Sequence, residues 1–234
     1  MDVPAELTAR LGAATPGLAA GALVLAVLVA LLVALAPALW LRLRIAVTLV
    51  HELGHAVVGV LSGRRFTGFV VRGDMSGHAV TVGPARGVGR VATTWAGYPV
   101  PPLVGLLMLY AVSTGYAATL LFACLLTLAV VLVFVRSAGT LFAVLAAGAG
   151  IGALWWWRDN EVQALVVAAT GLVLIVGGWR HLGAVASAGR RDPGSDAVVL
   201  SRLTGIPAWG WIATFGAVHA GATWGAALLL LDLT

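Results

Sequence analysis

Lysine is absent from this chain, and charge of either sign is scarce. All fourteen basic residues are arginine, against nine acidic ones in 234 residues. Charged residues make up 10% of the chain, where a soluble domain carries about a quarter, so an ordinary soluble domain is excluded. Cys124 is the single cysteine, which rules out a disulfide within the chain. It lies in an apolar run and reads as a packed thiol. Asparagine occurs once, at Asn160. The basic pI does not point to nucleic acid, because the arginines sit mostly in short loops between apolar runs. There they read as topology signals. What is left is 61% hydrophobic, with a mean hydropathy of +1.02. The implied solvent is a lipid bilayer.

Seven apolar segments come near the length a helix needs to span about 30 Å. They are Gly17–Trp40, Leu41–Leu61, Ala92–Val112, Tyr116–Val135, Ala138–Trp157, Val162–Trp179 and Ile206–Leu231. The expected fold is an all-α polytopic membrane protein of about seven transmembrane helices, one membrane-embedded domain over residues 1–234. The first apolar run, more than about 20 residues long, exceeds a signal-peptide core and reads as a span. Tryptophans near segment ends, among them Trp155-Trp156-Trp157, Trp179, Trp209 and Trp211, suit the membrane–water boundary. With the N-terminus on one side, that side collects eleven arginines, Arg10 included, and the other only Arg42, Arg44 and Arg158. The positive-inside rule then makes the N-terminus cytoplasmic.

The chemistry concentrates at His51-Glu52-Leu53-Gly54-His55, inside the apolar stretch 41–61. Residues four apart share a helix face. His51 and His55 can therefore aim two imidazoles at one Zn²⁺, with Glu52 beside it and a third protein ligand from elsewhere. Metal-bound water is acidic, and Glu52 can take its proton and pass it to a leaving amine. Two buried histidines with Glu52 as their counter-ion is the competing structural reading. The helix runs toward the cytoplasm, so a metal here would lie about 9–15 Å below that face, counting 1.5 Å per residue.

The loop 62–91 carries two alternating stretches, Phe66 to Val71 and His78 to Val82, around Gly73-Asp74-Met75-Ser76-Gly77. This predicts a cytoplasmic β-hairpin just after the metal helix. Ala96-Gly97-Tyr98-Pro99-Val100-Pro101-Pro102 cannot continue a regular helix. Such backbone inside a membrane must be buried in protein or line a cavity, which makes it a candidate wall of the site. Further on, Ser195 is a good N-cap and Asp196 opens a short helix within the segment 192–207.

Several residues qualify as the third ligand: Asp196, Asp192, Asp74, His78, His181 and His219. Geometry alone leaves Asp196 and His219 unseparated. The chain, however, resembles the M50 metallopeptidases, the site-2 protease type, and most nearly their bacterial M50B-like branch. The resemblance rests on His51-Glu52-Leu53-Gly54-His55, the strand-rich loop, and Asp196-Ala197 followed by Leu200 and Thr204-Gly205-Ile206-Pro207. It implies His51, His55 and Asp196 as ligands of one zinc ion and Glu52 as catalytic base. Better-known members carry an Asn-x-x-Pro run before Asp-Gly. Here that run is missing and Asp196 is followed by alanine, so the group that steadies the oxyanion has no candidate.

The expected activity is a zinc-dependent endopeptidase that cleaves membrane-protein substrates in or near their transmembrane segments. The expected location is a bacterial plasma membrane, with the site nearer the cytoplasm. The rival reading is a non-proteolytic scaffold or metal-binding carrier. An intact Glu52 argues against it, since a scaffold has no use for a base at that position.

Overall fold

The structure is a computed structural model that describes residues 8–12, 18–71, 77–156 and 159–232. Its order is α1 (Ala20–Leu35), α2 (Pro37–Leu61), β1 (Arg65–Val71), β2 (Gly77–Val82), α3 (Val88–Trp95), α4 (Val100–Ser113), α5 (Ala117–Val133), α6 (Ala138–Trp156), α7 (Asn160–Ala188), α8 (Asp196–Thr204) and α9 (Ala208–Asp232).

The expected count of seven spans is not confirmed. Among the described residues, α2, α6, α7 and α9 are long and apolar enough to cross a membrane. A fifth span exists if α3 and α4, bent by 61° at their break, are counted together. The other two segments, α1 and α5, are shorter, at 16 and 17 residues. At 1.5 Å per residue they reach only about 24–26 Å, short of a 30 Å hydrocarbon core. The first boundary also moves. The helix breaks at Ala36-Pro37 rather than after Trp40, because Pro37 has no amide to donate and pushes Ala36 to extended backbone, φ −82° and ψ 111°.

The arginine count sets Arg10 and the Trp155 to Trp157 cluster on opposite sides. In the structure the Arg10 guanidinium lies 4.4 Å from the centre of the Trp156 ring and 5.1 Å from that of Trp155. Thr119, at the start of α5, donates to the Leu11 carbonyl at 2.8 Å. At the other end of the α5–α6 pair, Arg136 donates to the Thr67 carbonyl on β1, and Phe134 packs on Phe66. The N-terminal turn and the β-hairpin therefore sit at opposite ends of that pair. Apolar length counts greasy stretches and misses the break at Pro37, where the 16-residue α1 meets the 25-residue α2.

α7 is the most buried span and α6 the least. α7 packs along α4, where a Cβ on Gly105 would stand 2.5 Å from the Gly171 carbonyl oxygen and one on Gly171 2.8 Å from that of Gly105. Small residues at this crossing let two backbones meet, as membrane helix pairs require. The main core gathers Val47, Leu109, Val112, Val167, Leu174 and Ile175 from α2, α4 and α7. A second cluster, Leu182, Val185, Ala197, Leu200 and Phe215, seats α8 between α7 and α9. It fixes the short helix whose first residue is Asp196.

The hairpin forms as expected. β1 and β2 pair antiparallel from Arg65 opposite Val82 to Val71 opposite Gly77, with an irregularity between Phe66 and Gly68. Its predicted turn, Asp74 included, lies mostly outside the described residues.

Candidate metal centre

α2 presents His51 and His55 one turn apart. Their Nε2 atoms are 3.1 Å from each other. Asp196 Oδ2 is 3.2 Å from the first and 3.3 Å from the second. Ligands of one zinc ion, each bonded at about 2 Å, must converge within about 3–4 Å of each other, and these three atoms do. Tetrahedral ligands with bonds near 2.0 Å lie about 3.3 Å apart, so the donor set fits a zinc ion. His55 is oriented by its other nitrogen, Nδ1–H, which donates to the Thr93 carbonyl at 2.7 Å. That fixes the tautomer with a free Nε2 lone pair, the device seen at metal-binding histidines.

Glu52 is buried at 7% exposure beside this trio. It too can bring an oxygen within 4.8 Å of a nitrogen on each histidine. Its Oε2, however, accepts the Ala79 N–H of β2 at 2.6 Å. The Asp196 oxygen, by contrast, faces both imidazoles at shorter range. Burial alone would push the Asp196 carboxyl up, but the two imidazoles outweigh it and hold the group below the usual carboxylate range.

Glycine lets the walls close in. A Cβ on Gly97 would stand 2.5 Å from His55 Cε1 and 2.6 Å from His51 Cε1. One on Gly54 would meet the Ala96 carbonyl oxygen at 2.8 Å. The proline-rich break between α3 and α4 is thus pressed directly against the two imidazoles. Tyr98 follows, its ring edge-on to His51 with centroids 4.8 Å apart, and stacked on Phe215 at 4.8 Å and 21°. A cavity of about 630 Å³ opens over the group. Arg44, Ala79, Arg90, Tyr98, His181 and Asp192 are among the residues that line it.

Three of the other candidate ligands are engaged in other contacts. His219 is fully buried in α9; its Nδ1–H donates to the Phe215 carbonyl at 2.8 Å and its ring packs on Trp179. Asp192 reaches the cavity wall, but its Oδ1 accepts the Gly194 N–H at 3.0 Å. His181 also lines the cavity and sits edge-on to Trp40. Ser195 occupies the N-cap position of α8, yet its hydroxyl donates back to the Asp192 carbonyl rather than to the helix.

Two residues escape sequence reading. Arg64 is buried at the end of α2 and braces the hairpin. It donates to the Pro84 carbonyl at 2.7 Å, to Thr81 Oγ1 at 3.3 Å and to the Thr81 carbonyl at 3.4 Å. In sequence it is one more loop arginine. Tyr98 lies in the proline-rich stretch read as a candidate wall of the site, but nothing in that stretch singles it out.

The family model described as Peptidase M50B-like matches residues 24–226. The chain belongs to that family. The matched span contains α2 with His51, Glu52 and His55, the hairpin, the break at Gly97 and the start of α8 at Asp196. Membership in a family of membrane metallopeptidases accords with the apolar helices and with a donor set that fits zinc. No curated protein and no solved structure matches the chain.

Proposed function

We propose that this M50B-like protein is a zinc-dependent intramembrane endopeptidase, with His51, His55 and Asp196 as metal ligands and Glu52 as general base and then acid. The observation that supports this most strongly is the set of three donor atoms 3.1–3.3 Å apart with a buried carboxylate beside them. Bound zinc would supply Lewis acidity toward a scissile carbonyl and toward a water molecule. Glu52 takes a proton from that water and delivers it to the leaving amine as the C–N bond breaks. The Ala79 N–H holds one carboxylate oxygen in place while this happens.

The substrate is a membrane protein whose transmembrane segment must unwind, since helix hydrogen bonds hide its peptide bonds. β2 can replace them. The Val80 carbonyl accepts Thr67 Oγ1 on the β1 side, whereas the neighbouring Ala79 N–H points the other way, into the site. The α5–α6 turn covers β1. The outer edge of β2 is therefore the strand edge offered to an unwound substrate. By the positive-inside rule, the arginine-rich hairpin end would face the cytoplasm.

Purified protein in nanodiscs with a transmembrane reporter tests the assignment. Glu52→Gln should keep zinc and lose roughly 10²–10⁴-fold in turnover. Turnover in neither form, with zinc bound in both, would instead support the scaffold or carrier reading. Proline at Thr81 should abolish cleavage with zinc intact; unchanged cleavage would remove the hairpin from the mechanism.

A further inference from the structure

Acyl transfer needs more than a nucleophile and a base. Negative charge builds on the carbonyl oxygen, and a fixed hydrogen-bond donor aimed at that oxygen is among the largest contributions an active site makes. No Asn-x-x-Pro run exists in this chain to provide one. The donor must come from another part of the cavity wall.

Most hydroxyls on that wall are already committed. Thr93 Oγ1 donates to the Gly89 carbonyl and Thr94 Oγ1 to the Arg90 carbonyl. Ser195 Oγ donates to the Asp192 carbonyl, and Thr81 Oγ1 receives Arg64. Tyr98 differs. The Tyr98 hydroxyl has no partner among the described residues, and the residue lines the cavity. Its ring is pinned from two directions, edge-on to His51 and face-on to Phe215. The backbone on either side is fixed as well. Gly97 is pressed against both imidazoles, and Pro99 and Pro101 are fully buried. A phenol held so rigidly against a metal-site imidazole, with an unspent O–H, needs no reorganisation at the moment of reaction.

The geometry points to Tyr98 as a catalytic residue that donates its O–H to the carbonyl oxygen as that oxygen becomes an oxyanion. The phenol keeps its proton throughout. The new bond is the one between the water oxygen and the carbonyl carbon, the bond broken is C–N, and the proton travels by Glu52. Tyr98 contributes a hydrogen bond that strengthens as charge develops, and nothing more.

This inference rests on the peptidase reading, and Tyr98→Phe separates the two. The variant keeps the ring, its packing on His51 and Phe215, and the backbone. Zinc content and KM should therefore stay within about twofold, while kcat falls roughly 10²–10³-fold, the cost of losing one oxyanion donor. A phosphinic peptide, whose tetrahedral anion mimics the charged intermediate, should bind the zinc-loaded variant at least about tenfold more weakly than the wild type. Equal kcat in a cleaving wild type and in Tyr98→Phe would overturn the assignment. So would equal phosphinic-peptide affinity, which can be measured even if the wild type proves not to cleave, the outcome that would sink the peptidase reading itself.

Discussion

Two helices of this protein each bury histidine in an apolar setting, and the chain uses them differently. On α2, His55 spends Nδ1 on the Thr93 carbonyl of another helix and turns Nε2 toward His51 and Asp196. On α9, His219 spends Nδ1 on the Phe215 carbonyl of its own helix and packs its ring on Trp179. The residue type and the greasy surroundings are alike. What distinguishes the proposed ligand from the core residue is where the second nitrogen looks. At α2 it meets an imidazole and a carboxylate that arrives from about 140 residues downstream. At α9 it lies against the Gly178 backbone, where a Cβ would stand 2.9 Å from Nε2.

Substitution at the two sites should split the outcomes most widely. His55→Ala should weaken zinc by more than the ~10–100-fold typical of losing a partner behind the ligands. His219→Ala should leave zinc content unchanged and lower stability by about 0.5–3 kcal/mol. Metal analysis and thermal unfolding of the two purified variants read both halves. Zinc loss in the α9 variant would erase the contrast.

A smaller effect sharpens the same comparison from the backbone side. Gly97→Ala places a methyl 2.5–2.6 Å from both imidazoles, so the rings or the break must move. Overpacking of this kind costs about 1–3 kcal/mol, and here it should appear as weaker zinc binding. Gly148→Ala on α6, where nothing lies within 4 Å, should change neither zinc nor turnover. The smallest expected change is at Arg64→Ala. It frees the hairpin without touching a metal ligand. The Ala79 amide should exchange with solvent faster while zinc stays bound; an equally protected amide would show that Arg64 does not brace β2.

Local signals were readable in the sequence. The His51 to His55 spacing, the alternation either side of Gly73, the prolines after Tyr98 and the N-cap at Ser195 each depend on neighbours within a few residues. They returned the metal helix, the hairpin, the break and the short helix at Asp196. Crossing number was not readable in this way. Hydropathy treats α6 and α7 as equals, although one lies at the periphery and the other in the centre. It also draws the first helix boundary after Trp40, where the structure breaks at Pro37. Arg64 and Tyr98 were out of reach for a related reason. Their roles consist of contacts with Pro84, Thr81, His51 and Phe215, none of which a linear pattern announces. The family resemblance, not spacing, favoured Asp196 over His219.

The claim beneath all of this is that Asp196 joins His51 and His55 around one zinc ion. X-ray absorption on the zinc-loaded Asp196→Cys protein tests it most directly, with His219→Cys measured alongside. Thiolate ligation would add a sulfur shell near 2.3 Å in the first protein and leave an all-nitrogen-and-oxygen shell near 2.0 Å in the second. A sulfur shell that appears only in the His219→Cys protein, or in neither, would contradict the account.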